Sequence, residues 1–242
     1  KASDVAKILS DQSQAGGFVE VRAGERVSDV ITAAAQASGK DVSEFQSVID
    51  GGGDGILPSE AGGKFEGWFE PGTYDAQNKS AEDIIKAMVE ARIAKLDKLG
   101  VPTGSDRERI LIIASIAESE VGSEQYYGKV ARVILNRIDA GMPLGMDTTV
   151  AYGLGISASQ LTDDQLNDSS NPYNTRINKG LPPTPISNPG DGAITAAMDP
   201  PEGKWLYFVT TNLKTGETKF VETEDEFWKI RDEYKNNNEN AN

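Results

Sequence analysis

The chain has 242 residues, a formal net charge of −14, and neither cysteine nor histidine. That length suits one large domain or two small ones with ample core, and the acidity argues against nucleic acid, whose phosphates need clustered Lys and Arg. Without Cys or His there is no thiol or imidazole nucleophile, no disulfide and no His-ligated zinc, so acid–base chemistry near neutral pH falls to Asp, Glu, Tyr or Lys.

No apolar stretch approaches the ~20 residues of a membrane span, and no stretch of the sequence reads as a signal peptide. Residues 1–17 read as a short amphipathic helix with Val5, Ile8 and Leu9 on one face, broken by Gly16 and Gly17. It is expected to be the remnant of a preceding segment. Phe18, Val19 and Val21 suit a short strand that Gly24 turns. An amphipathic helix follows, with Val27, Val30, Ile31 and Ala34 on one side, then a second short helix opened by Asp41. A strand and two short helices resemble a LysM-like glycan-binding unit, expected over residues 18–60, although any small α+β module has this pattern.

GGGDGILPSEAGG is a loop or linker, because its glycines lack the context of a phosphate-binding motif. In EGWFEPGTYD, Trp68, Phe69 and Tyr74 surround Pro71-Gly72, either as a packed turn or as a platform for sugar rings. A helix opens at Ser80, carries Ile84, Ile85, Met88, Val89 and Ile93, and stops at Gly100 before Pro102.

Ser105 to Gly141 holds the chemistry. Ser105 and Glu108 have capping-box spacing, and Ile110 to Ala117 is apolar except for Ser115, the pattern of a buried helix. That helix delivers Glu118 and Glu120 to the point where the chain turns at Val121-Gly122. The two side chains diverge by about 200° on a helix, so periodicity does not choose between them. A carboxyl against apolar surface has a raised pKa and can act as a general acid; the alternative is a pair of solvated acids at a helix end. No EF-hand spacing is present. A second helix follows, with Tyr127, Val130, Ala131, Ile134, Leu135 and Ile138 at helical spacing and Gly141 as its stop.

Asp147, Thr148, Thr149 and Tyr152 then lie among glycines, as a polar loop or a short strand leading into a turn. ISASQLTDDQL reads as a short helix or lobe. NPYNTRINKGLPPTPISNPG is irregular, and a stretch of that length without regular structure is often functional. Asn188-Pro189 has the form of a helix start. Trp205 to Thr211 is a strand, NLKTG the turn and ETKFVET its hairpin partner. A helix with Phe227, Trp228, Ile230 and Tyr234 follows, and NNNENAN is expected to be disordered.

Taken together, IASIAESEVG, KVARVILNRIDAGMPLGMDTTVAYGLG, YNTRINKGLPPTPISNPG and WLYFV, in this order and with EGWFEPGTY upstream, resemble the endolytic murein transglycosylase (YceG-like) family. The resemblance runs from about Phe18 to Phe220. It implies an α+β fold: a small LysM-like module, then a larger mixed α/β catalytic domain over 61–242 with a central buried helix and a β-hairpin. It implies a lyase that cuts inside peptidoglycan glycan strands at the MurNAc-β-1,4-GlcNAc bond and leaves a 1,6-anhydroMurNAc end. The catalytic glutamate of the family falls on Glu120, with Glu118 as runner-up acid or as its tuning partner. Substrate contacts are implied for Asp147, Thr149, Tyr152, Tyr173, Asn174, Thr175, Pro182, Pro183 and Asn188. No metal or cofactor is implied. The partners would be glycan strands and cell-wall synthases, at the extracytoplasmic face of a bacterial membrane, through a single-pass anchor ahead of Lys1. The chain is thus expected to be a truncated ectodomain.

Two features depart from the family. Thr148 stands where the family commonly has a proline, and the segment after the hairpin lacks the usual histidine. Two other readings compete: a non-catalytic glycan-binding scaffold, and a hydrolase using Glu120 with Asp147 as second carboxylate.

Overall fold

The structure, a computed structural model, describes residues 17–212 and 214–237. The helix expected within residues 1–16 and the disorder expected for 238–242 lie outside the described residues. Among the described residues the fold is α+β, with helices and two separate two-stranded sheets. It divides into two compact units: one runs to Arg109 and includes Thr184–Gly190, the other holds Ile110–Pro183 and everything from Asp191. The expected boundary at 60/61 falls inside the first unit. Among the described residues no helix is long and apolar enough to cross a membrane.

The first unit contains β1 (Phe18–Val21), α1 (Val27–Ser38), α2 (Val42–Asp50), β2 (Gly72–Asp75) and α3 (Ala81–Leu99). Alternation along β1 turns Val19 and Val21 inward. β1 pairs antiparallel with β2, Phe18 opposite Asp75 and Val21 opposite Gly72. The apolar stripe of α1 is buried as its periodicity predicts, and the helix stops at Gly39 in the left-handed region. Asp41 and Glu44 form a capping box at the start of α2, and Ser80 caps α3. Trp68 and Phe69 are fully buried, the latter beside Phe45, Ile84, Ile85 and Met88. The aromatic block is therefore a packed turn, each side chain contributing roughly 1.5–3 kcal/mol through burial.

The segment 184–190 is held in this unit by buried polar bonds. Asn188 Oδ1 accepts from the Phe69 N–H at 2.9 Å, and Asn188 Nδ2 donates to the Glu25 carbonyl at 2.9 Å. Arg92 on α3 is fully buried; it donates to the carbonyls of Phe69 and Pro189 and pairs with Glu70 at 2.9 Å. Asn188 is thus occupied inside the unit instead of capping a helix, and the helix expected from Asn188-Pro189 starts only at Asp191.

The division between units falls within α4 (Ser105–Glu120). In the second unit α4 buries Leu111 to Ala117, as an all-round apolar helix must. The unit continues through α5 (Tyr127–Asp139), α6 (Asp147–Leu154), α7 (Asp163–Leu166), α8 (Asp191–Met198), β3 (Tyr207–Asn212), β4 (Glu217–Val221) and α9 (Glu224–Asn237). Asn236 and Asn237, expected in a disordered end, close α9. The hairpin pairs Tyr207 with Val221 and Phe208 with Phe220.

One face of α5 organises the irregular chain before the hairpin. Arg132 donates to the carbonyls of Pro200 and Pro201, Asn136 to those of Gly203 and Trp205, and Arg137 to that of Leu206. Positions 132 and 136 are one helical turn apart, so they line up along the segment. Trp205 and Leu206, expected in the strand, are held this way, and β3 begins at Tyr207.

Candidate active site

Glu120 is the last residue of α4, at the negative end of its helix dipole. It is half-buried. Its Oε1 accepts a hydrogen bond from Thr148 Oγ1 at 2.5 Å. Thr148 is the second residue of α6, so the carboxyl meets the amide-rich first turn of that helix. Burial pushes the Glu120 carboxyl above its ordinary range, and the Asp147 carboxylate pushes the same way. The Thr148 hydroxyl and backbone amide and the Arg137 guanidinium pull it back.

The reading of Asp147–Thr149 as loop or strand is corrected: these residues open α6. The β-branched run Thr148-Thr149-Val150 favours extended chain locally, but tertiary bonds override it. Thr149 Oγ1 donates to the Met146 carbonyl at 2.7 Å and lies 2.9 Å from Thr175 Oγ1. Thr175 in turn accepts from the Met146 amide through its hydroxyl and from the Gly145 amide through its carbonyl.

The residues singled out in the sequence therefore take different places. Asp147 is half-buried and pairs with Arg176 at 2.8 Å. Tyr152 and Tyr173 are half-buried, with their rings edge to face at 4.9 Å. Tyr152 lies one turn beyond Thr148 on the same face of α6. Thr149, Asn174 and Thr175 are buried. Asn174 donates to the carbonyls of Leu166 and Asp168 and accepts from the Arg176 amide, which shapes the loop under Tyr173. Gly153 has no room for a side chain: a Cβ there would stand 2.9 Å from Tyr173 Cβ and run into Asn171. Pro182 is buried and Pro183 exposed. Asn188 belongs to the other unit, with its amide occupied as described. Glu118 bears on Tyr127, whose pKa is raised first by burial and then by the Glu118 and Glu124 charges.

Two contributors were not singled out as site residues. Thr148 was noted as part of a polar stretch and as a missing proline. Arg137 sits beside the apolar stripe of α5, where a cation needs partners. It donates to the carbonyls of Leu206 and Leu144 and lies over the Tyr207 ring at 5.2 Å. That neighbourhood was its only sequence signal. Among the described residues no group of three or more acidic side chains is arranged to hold a metal ion.

The model of the YceG-like family matches residues 1–233. The chain belongs to the YceG-like family. Among the relatives of this YceG-like chain is the endolytic murein transglycosylase of Bacillus subtilis (strain 168), 33% identical over 174 residues, covering 70% of this chain and 48% of that protein. The endolytic murein transglycosylase of Streptococcus pneumoniae serotype 2 (strain D39 / NCTC 7466) is 28% identical over 165 residues, covering 64% of this chain and 29% of that protein. The chain thus spans about half or less of the length of these curated relatives. A crystal structure of a yceG-like protein from Listeria monocytogenes superposes with a TM-score of 0.75 at 28% identity, covering 94% of this chain and 80% of that one.

Proposed function

We propose that this chain is an endolytic murein lytic transglycosylase with Glu120 as its acid and base. The observation that carries the reading is the Glu120 carboxyl itself: half-buried, raised by burial, and held at one oxygen by Thr148. A glutamate protonated near neutral pH can give its proton to a glycosidic oxygen. Glycosidases usually need a second carboxylate. In the lytic reaction the sugar's own C6 hydroxyl replaces it. Glu120 protonates the leaving oxygen, the C1–O bond breaks, the C6 oxygen bonds to C1, and the Glu120 carboxylate takes the C6 hydroxyl proton. No water is consumed, and the product is the 1,6-anhydroMurNAc end.

Asp147, Tyr152 and Tyr173 are the reachable groups for hydroxyl and N-acetyl contacts and for ring stacking, while Thr149, Asn174 and Thr175 hold that platform from below. The β1–α1–α2 order supports a LysM-like, glycan-binding role for residues 18–60, with β2 as a closing strand, and a catalytic role for the chain from residue 61. The family reading puts the work at the extracytoplasmic face of the bacterial membrane, on nascent strands, with an N-terminal anchor and cell-wall synthases as partners.

Asp147 keeps a two-carboxylate hydrolase as the second reading, because its charge bears directly on Glu120. Digestion of uncrosslinked glycan strands by wild type and by Glu120→Gln tests both. Anhydro-ended fragments from wild type, reduced at least about 100-fold in the variant, support the proposal. Reducing ends select the hydrolase, and binding without cleavage selects a scaffold.

A further inference from the structure

We propose that Thr148 is a positioning residue that fixes which oxygen of Glu120 carries the transferable proton. The inference rests on the transglycosylase reading of Glu120 and deepens it. Thr148 Oγ1 donates to Glu120 Oε1 at 2.5 Å, and an oxygen accepting such a bond is the unprotonated one of a neutral carboxyl. The proton is thereby left on Oε2. The Thr148 backbone amide bears on the same carboxyl. An amide can only donate, so it adds to the pull of the hydroxyl toward the charged form.

The side chain at 148 matters for this. A proline there has neither hydroxyl nor N–H, so it would leave this carboxyl without both donors. With threonine, the donors also stabilise the carboxylate that remains once the proton has left, which is the form that must act as base in the second half of the reaction. The charged groups facing Glu120 are Asp147 from α6, itself paired with Arg176, and Arg137 from α5. The first opposes ionisation of Glu120 and the second favours it, so the Thr148 donors act on a carboxyl already pulled both ways.

The test is the pH profile of strand cleavage by the full chain carrying Thr148→Val, Thr148→Ala or Thr148→Ser, with Glu120→Gln alongside. Removing the hydroxyl takes a donor from the charged form, so Glu120 keeps its proton to higher pH. For Val and for the smaller Ala, the alkaline limb of kcat should move up by about one pH unit. The maximal kcat should fall roughly tenfold, with KM unchanged. Ser, which restores the hydroxyl, should return both to wild-type values. An unmoved limb in the Val and Ala variants, or failure of Ser to rescue, overturns the inference. If Glu120→Gln is inactive while those limbs stay put, the Thr148 assignment alone fails. If Glu120→Gln still cleaves, the reading of Glu120 fails with it.

Discussion

Glu108 and Glu120 stand on the same helix, and burial raises both carboxyls, but their neighbours give them different work. Glu108 Oε2 accepts from the Trp68 indole N–H at 3.0 Å. Burial pushes its carboxyl up to about 7, with the Trp68 bond opposing and the Glu60 charge adding. In the unfolded chain a glutamate ionises near 4.5. As pH rises between those values, the unfolded chain releases a proton that the folded protein still holds, so stability present at low pH is lost up to about pH 7. Glu108→Gln keeps an acceptor for Trp68 and removes this dependence. Its melting temperature should stay flat where wild type declines. At about pH 8 it should gain on the order of 1–2 kcal/mol over wild type, allowing for the water that still reaches the carboxyl. Parallel pH dependences in the two proteins would contradict the assignment. The capping box expected from Ser105 and Glu108 overlooked this: spacing along a chain does not reveal an indole brought in from forty residues away.

Helices and their stops were legible because they follow local rules. The stripe of α1, the capping pair of α2, the Ser80 cap of α3 and the all-round apolar run of α4 are each visible as spacing or composition. What was not legible is where long-range polar bonds decide. The β-branched start of α6 is helical because Thr149 and Thr175 tie its first turn to residues 145–146. Trp205 leaves the expected strand with its carbonyl taken by Asn136, while Leu206 gives its carbonyl to Arg137 and keeps its N–H on the Val221 carbonyl. Asn188 resembles a helix cap or a substrate ligand in sequence, yet its amide joins Phe69 to Glu25. Asn188→Ala orphans the buried Phe69 N–H and takes one of two donors from the Glu25 carbonyl, which keeps the backbone N–H of residue 188, and should cost about 1–3 kcal/mol in denaturant melts without altering cleavage products. A stable variant with changed products would return Asn188 to the substrate site.

At the scale of the molecule, a chain without histidine or cysteine has few ways to move a proton near neutral pH, and the Glu120 carboxyl, raised by burial at the junction of α4 and α6, is the candidate for it. Family membership fits that economy, since the reaction proposed needs a single carboxyl and a hydroxyl already on the substrate. In the candidate site, Glu120, Tyr152 and Tyr173 were named from motif, while Thr148 and Arg137 gained meaning only once α5 and α6 were placed around the end of α4. The most direct measurement is mass spectrometry of glycan strands cleaved by wild type in heavy-oxygen water. If Glu120 directs attack by the C6 hydroxyl, the new ends are anhydro sugars carrying no heavy oxygen, and Glu120→Gln yields none. Reducing ends that have taken up the label would contradict the account.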